Sequence, residues 1–322
     1  MLRTENAKRP KSLSELLDSK TIARLSQLDV ASRKIFSGKL QGERRSKRRG
    51  ESVEFADHRP YTVGDDLRHI DWNIVGRLDK LFMKIFLEDE DLALHLVLDA
   101  SASADAGEPS KFLFMQQAVA ALGYIGLVNL NRVTLSALGE PAPPENDDAR
   151  DPERPDHAGI TASVRNLRGR RRMSDLERWL CGLEPRGSTN FTDAARRLAL
   201  SRSGSGVMIV LSDFFFKEGY EAGLRYLVGR GYDVVCIQVL SPQEIDPSIT
   251  GDLRLRDMED GDRTEITVSA PLLKRYKANL SAYCDQLRHF CAQRDMMHLT
   301  VSSETPIETL LMDHLRRRGV LR

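Results

Sequence analysis

Three short apolar runs constrain the fold of this chain more than any other feature. They occupy 94–98, 207–212 and 233–240, and the first two are closed by acids, Asp99 and Asp213. Runs of this length without polar alternation read as strands buried on both faces. Stretches of helical character separate or follow them: 110–129, with Ser110 as N-cap, then 170–183, 190–202, 218–230, 271–294 and 306–318. Residues 132–138, 160–164 and 298–301 read as further strands, and 252–268 as a hairpin turning at Glu259-Asp-Gly-Asp262. Buried strands alternating with helices predict an α/β fold. Its sheet is doubly wound, mostly parallel and of Rossmann type, covered on both sides, with right-handed crossovers.

The N-terminal part differs. Residues 12–28 have helical apolar spacing, 31–60 are loop-like with a basic run from Arg44 to Arg49, and 61–91 are dense in charge. This divides the chain into an N-terminal helix and charged extended segment at 1–87, packed on the core, and the α/β domain at 88–322. Asp65, Asp66, Arg68, Asp71 and Arg77 read as an ion-pair network pinning that segment, with Trp72 as a packing anchor, or as a partner contact. Lys and Arg number 48 against 47 Asp and Glu, so no global basic surface points to nucleic acid. The four cysteines form no C-x-x-C pair and read as buried thiols, not a zinc site. The longest apolar stretch, 118–130, falls short of the about 20 residues that span a bilayer. No apolar leader is visible either, so a cytoplasmic protein is expected.

In open α/β sheets, ligands bind beyond the carboxyl ends of the strands. Asp99 and Asp213 stand at two such ends. The loop after the first reads Asp99-Ala-Ser101-Ala-Ser103, in which oxygen-bearing side chains alternate with small spacers. Gly187-Ser-Thr189-Asn190 offers a further hydroxyl. Hard oxygens, few of them charged, suit Mg²⁺ or Mn²⁺ in octahedral geometry with waters retained. Taken singly, these residues are also ordinary caps and turn residues.

Together they resemble the metal-ion-dependent adhesion site of von Willebrand factor A domains. The resemblance implies a von Willebrand factor A-like fold in which Ser101, Ser103 and Thr189 touch the metal. Asp99 and Asp213 would act directly or through water, and an acidic group of a partner would fill the open position. A narrower likeness is carried by Arg59-Pro-Tyr61, Gly64-Asp-Asp-Leu-Arg68, Ile70-Asp-Trp72 and Arg77, followed by the Asp99 loop. These are similar to the bacterial family called domain of unknown function 58, as is the ending at 305–322. Ala104 departs from that pattern, standing where the family usually has Met. The likeness implies a chaperone-like or assembly partnership with MoxR-type AAA+ ATPases, beside which members are often encoded.

The expected function is therefore a divalent-cation-dependent protein-binding module, partnered by such an ATPase or its client, and not an enzyme. Aspartyl-phosphate chemistry needs Asp-x-Asp, and Ser101 takes the second place. There is no Gly-x-Ser-x-Gly elbow and no Walker A loop. No His lies in 99–105, 187–193 or 212–217 to serve as general base. The alternative is a Mg²⁺-dependent phosphohydrolase using the same strand-end acids.

Overall fold

The computed structural model describes residues 9–32, 55–62, 67, 70–86, 92–140, 159–200, 206–229, 232–256 and 263–322. The elements run, in chain order, α1 (Leu13–Leu16), α2 (Ser19–Leu25), β1 (Phe55–Pro60), α3 (Trp72–Leu78), β2 (Phe82–Phe86), β3 (Ala93–Asp99), α4 (Lys111–Val128), β4 (Arg132–Leu138) and β5 (Ile160–Leu167). There follow α5 (Met173–Cys181), α6 (Phe191–Leu200), β6 (Gly206–Ser212), α7 (Glu221–Val228), β7 (Tyr232–Leu240), α8 (Pro242–Ile245), β8 (Gly251–Arg256), β9 (Arg263–Val268), α9 (Ala270–Ala292) and β10 (Met297–Ser302). The chain ends in a single turn, Ile307–Thr309, that widens into a π-helical stretch, Leu310–Arg316.

Two compact units result. One joins 1–39 to 92–322, and the other is 40–91. The first helices thus belong with the α/β core, whereas the sequence reading grouped them with the charged segment. The cause is apolar: Leu16, Leu17, Leu25, Leu28 and Val30 all enter the main hydrophobic cluster of the larger unit. Residues 12–28, expected as one helix, form two, because Leu17 is extended and Asp18 caps the second by accepting from Thr21 N at 2.7 Å. In the smaller unit, 55–60 is a strand, not loop, paired antiparallel with β2.

The larger unit is built on one six-stranded sheet in the order β10-β7-β6-β3-β4-β5. All neighbours are parallel except β5, which returns antiparallel on β4. The fold is thus a mixed α/β arrangement with a mostly parallel central sheet flanked by helices. Residues two apart share a sheet face, and the two faces bury different partners. Leu94, Leu96, Leu98, Val207, Ile209 and Leu211 pack with α4 and α5, while Val97, Met208, Val210, Val234 and Cys236 pack with α6, α7 and α9. This two-sided cover is why β3, β6 and β7 are buried at every position and carry no polar alternation.

Helix α4 is buried nearly all round. By length and composition it could cross a membrane, at mean hydropathy 1.3, yet 78% of it lies inside the fold. It is the core helix of this domain. Close approach is also required between β3 and β6, where a methyl group on Gly206 would stand 2.2 Å from the Ala93 carbonyl oxygen.

Two predictions follow from packing and burial. Gly206→Ala should lower stability by about 1–3 kcal/mol in urea unfolding, because backbone must move to admit the methyl group. His298 on β10 is 8% exposed. Burial, and then the charges of Arg288 and Arg318, depress its pKa from 6.5 to about 4. The folded chain therefore keeps this His neutral while the unfolded chain protonates it. Its contribution is full above pH 6.5 and should be lost progressively as pH falls toward 4, by about 3 kcal/mol. Unfolding of His298→Asn across this window should give a flatter pH dependence than the natural chain.

Candidate functional site

The chain leaves β3 toward β4 on one side, and later returns to place β6 on the other. The loops after β3 and β6 thus diverge at a topological switch point, where open α/β sheets form their ligand crevice. Asp99 ends β3 and Asp213 follows β6, so both acids reach this edge. A third segment is stitched to them through backbone: Ala102 N donates to Gly187 O at 2.9 Å and Arg186 N to Ala100 O at 2.9 Å. This pair of bonds carries Thr189 to the site across ninety residues of sequence.

Asp99, 1% exposed, organises what surrounds it. Its Oδ1 accepts from Ser101 N at 3.0 Å and Thr189 Oγ1 at 3.3 Å, and its Oδ2 accepts from Ser212 Oγ at 2.6 Å. Ser101 Oγ and Ser103 Oγ lie 3.0 Å apart. Asp213 Oδ1 accepts from Phe215 N at 3.1 Å. Burial, and then the charge of Asp213, raise the Asp99 pKa, against the opposing hydrogen bond from Ser212. All five residues expected at the metal site therefore belong to one cluster. Four are joined by direct hydrogen bonds, and Asp213 is next to the Ser212 that touches Asp99.

Sequence reasoning missed the residue that Asp213 holds. Lys111, the first residue of α4, is fully buried, with Nζ donating to Asp213 Oδ2 at 2.6 Å and Glu244 Oε1 at 2.7 Å. Burial alone would lower its pKa, but the charges of Asp213 and Glu244 outweigh it, so the ammonium is held above its ordinary value. Glu244 Oε2 in turn accepts from Ser241 N at 2.8 Å in a capping box on α8. One signal was legible: a cation in the first turn of a helix opposes the macrodipole and needs a reason.

Hard oxygen donors of this kind suit Mg²⁺. Ligands at about 2.1 Å in an octahedron stand about 3.0 Å apart along an edge. The Ser101–Ser103 and Asp99–Thr189 spacings, 3.0 and 3.3 Å, are close to that. Three carboxyl groups, those of Asp99, Asp213 and Glu244, gather around one ammonium, an excess of acid that a divalent cation would balance. Among the described residues no three His, Cys, Asp or Glu side chains form a metal-binding group. Here two acids, Asp99 and Asp213, and three hydroxyls, of Ser101, Ser103 and Thr189, are the groups that could hold such an ion.

Residues 57–283 match the family described as Protein of unknown function DUF58. The chain belongs to this family. It is 26% identical over 258 residues to uncharacterized protein Mb1516 of Mycobacterium bovis and to uncharacterized protein Rv1480 of Mycobacterium tuberculosis, covering 79% of this chain and 76% of each relative. Among solved structures it is similar to conserved hypothetical protein BatB from Bacteroides thetaiotaomicron, with a TM-score of 0.39 and 13% identity over 70% of this chain and 98% of that one. An aerotolerance-related membrane protein from Bacteroides fragilis gives a TM-score of 0.39 and 15% identity over 69% and 97%.

The charged segment of this DUF58 chain lies in the smaller unit. Asp65, Asp66 and Arg68 fall outside the described residues. Asp71 caps α3 by accepting from Asn73 N at 3.0 Å, and its other oxygen is 2.9 Å from His58 Nε2. Arg77 is exposed in the last turn of α3, where its charge suits the helix dipole. Trp72 is 66% exposed. It is not the packing anchor expected, since α3 buries none of its residues.

Lys111→Met should destabilise this DUF58 protein by roughly 3–5 kcal/mol, since two buried carboxylates lose their counter-charge. Adding Asp213→Asn and Glu244→Gln to that variant should recover a large part of the loss. Urea unfolding of the single and triple variants checks both statements.

Proposed function

We propose that this chain is a protein-binding module of von Willebrand factor A type whose Asp99 edge works with a divalent cation, Mg²⁺ or Mn²⁺. The observation that carries the reading is the oxygen cluster at the switch point, with Ser101 and Thr189 hydrogen-bonded to Asp99 and Ser103 to Ser101. Asp99 and Asp213 hold the loops in place. Lys111 fixes which Asp213 oxygen turns inward and reduces the negative charge that an approaching acid would meet. A bound Mg²⁺ would supply positive charge and one open coordination position to an Asp or Glu of the partner. By family likeness, the partner is a MoxR-type AAA+ ATPase or that ATPase's client.

The same acids could serve a Mg²⁺-dependent phosphohydrolase, and Lys111 is the kind of cation such a site would use. Against this, the Lys111 ammonium is fully buried between two carboxylates, Asp213 and Glu244. The loops also lack a histidine base.

Asp99→Ala should abolish Mg²⁺ binding in calorimetry while circular dichroism stays native, and Ser101→Ala should weaken it less, by removing one neutral ligand. Affinity for a MoxR-type ATPase should fall at least about tenfold when Mg²⁺ is replaced by EDTA. Equal affinity in both buffers, or unchanged affinity of Asp99→Ala, would refute the metal edge as the binding surface. Phosphoester hydrolysis that Asp99→Ala abolishes would establish the enzymatic reading instead.

A further inference from the structure

The sheet face that carries Val97, Met208 and Val210 changes character toward β4 and β5. Over most of its width it is apolar and covered by helices. Below the metal edge it instead presents His95 from β3, Thr134 and Ser136 from β4, and Ser163 and Arg165 from β5, five positions of matching strand parity. A cavity of about 540 Å³ opens there, walled on its far side by Arg197 of α6. That volume lies within the roughly 300–1,000 Å³ typical of small-molecule sites.

The floor of the cavity is a hydrogen-bonded chain crossing three strands. His95 Nε2 is 2.9 Å from Ser136 Oγ, which is 3.4 Å from Ser163 Oγ. His95, Thr134 and Ser136 are 0, 2 and 1% exposed, while Ser163 and Arg165 are open to solvent and Arg197 is half-buried. Imidazole and hydroxyls placed in a sheet interior cost free energy unless they are hydrogen-bonded. Apolar residues fill the corresponding positions of β6 and β7 at no such cost. Two guanidinium groups, those of Arg165 and Arg197, line the cavity, and among the described residues neither has a carboxylate partner.

We propose that this cavity binds a small organic molecule bearing an oxyanion, a phosphate monoester or a carboxylate. Arg165 and Arg197 take the anionic group, because the guanidinium fork matches its paired oxygens. Ser163, exposed at the end of the chain through Ser136 to His95, faces the uncharged polar part of the ligand. The site is separate from the Asp99 edge and needs no metal.

The test uses the full chain titrated with inorganic phosphate and, in parallel, with malonate at constant ionic strength, followed by calorimetry and by the histidine resonances in NMR. Saturable binding of at least one anion is expected, with a shift of the His95 ring signals. Arg197→Ala and Arg165→Ala should each weaken it by at least about tenfold. Arg196→Ala, on the exposed neighbour, and Asp99→Ala should leave it unchanged. Binding of phosphate but not malonate assigns a phosphorylated ligand, and the converse a carboxylated one. Absence of saturable binding by either anion, or affinity unchanged from the natural chain in Arg165→Ala and Arg197→Ala, would overturn the proposal. Loss of phosphate binding in Asp99→Ala would place the anion at the metal edge and overturn it too.

Discussion

A buried ammonium joins three distant parts of the chain. Lys111 begins α4, Asp213 follows β6, and Glu244 belongs to α8, and the three meet within hydrogen-bond distance away from water. The anions are themselves tethered. Gln238 Nε2 donates to Asp213 O at 3.1 Å, and Tyr276 OH donates to Glu244 O at 2.9 Å, which extends the network to β7 and α9. Burying charge is not the most stabilising use of such space, since an apolar trio of equal volume often serves as well or better. What apolar side chains could not do is orient a carboxylate. With Lys111 on one oxygen and Phe215 N on the other, Asp213 has a fixed rotation next to Asp99.

The loop after β6 depends on that orientation and carries a backbone cost. Phe214 has φ of +61°, a left-handed conformation that a bulky side chain rarely adopts. It is held there from several directions. Its ring is fully buried at an edge-on 6.3 Å from Phe191, its N donates to Ser212 Oγ at 2.9 Å, and its carbonyl accepts from Tyr283 OH at 2.5 Å. Strained backbone persists only where surrounding contacts overdetermine it. Here those contacts turn the chain back just after Asp213, so that Ser212 faces Asp99 while Asp213 faces Lys111.

How much of this was readable in the sequence depended on how locally each feature is encoded. Two-sided burial writes itself as largely apolar runs, so β3, β6 and β7 were legible, with the acids at the ends of the first two. Of the four cysteines read as buried thiols, Cys236, Cys284 and Cys291 are buried, whereas Cys181 is only partly so. Thr189 was legible as a loop hydroxyl, but its convergence on Asp99 only through family likeness, because its place is set by backbone bonds to Ala100 and Ala102, which have no side-chain signature. Lys111 was passed over since one charge at the start of an apolar helix looks like a solvent-facing residue. Its partners lie more than a hundred residues away. Strand β1 went unread because a short pair in a small unit leaves no long apolar run.

The antiparallel return of β5 has a consequence for how the molecule behaves among copies of itself. An open sheet ends in strands whose free backbone groups invite pairing with another chain. On this side the last strand is irregular. Its register against β4 shifts at two places, and Asn166 takes a left-handed φ of +56°. Bulges of this kind twist an edge away from flatness. The strand also exposes Arg165 and Asn166, with Arg168 exposed just beyond it, and a like-charged edge does not zip onto its own image. The irregularity that ends the sheet at six strands therefore also acts against edge-to-edge aggregation.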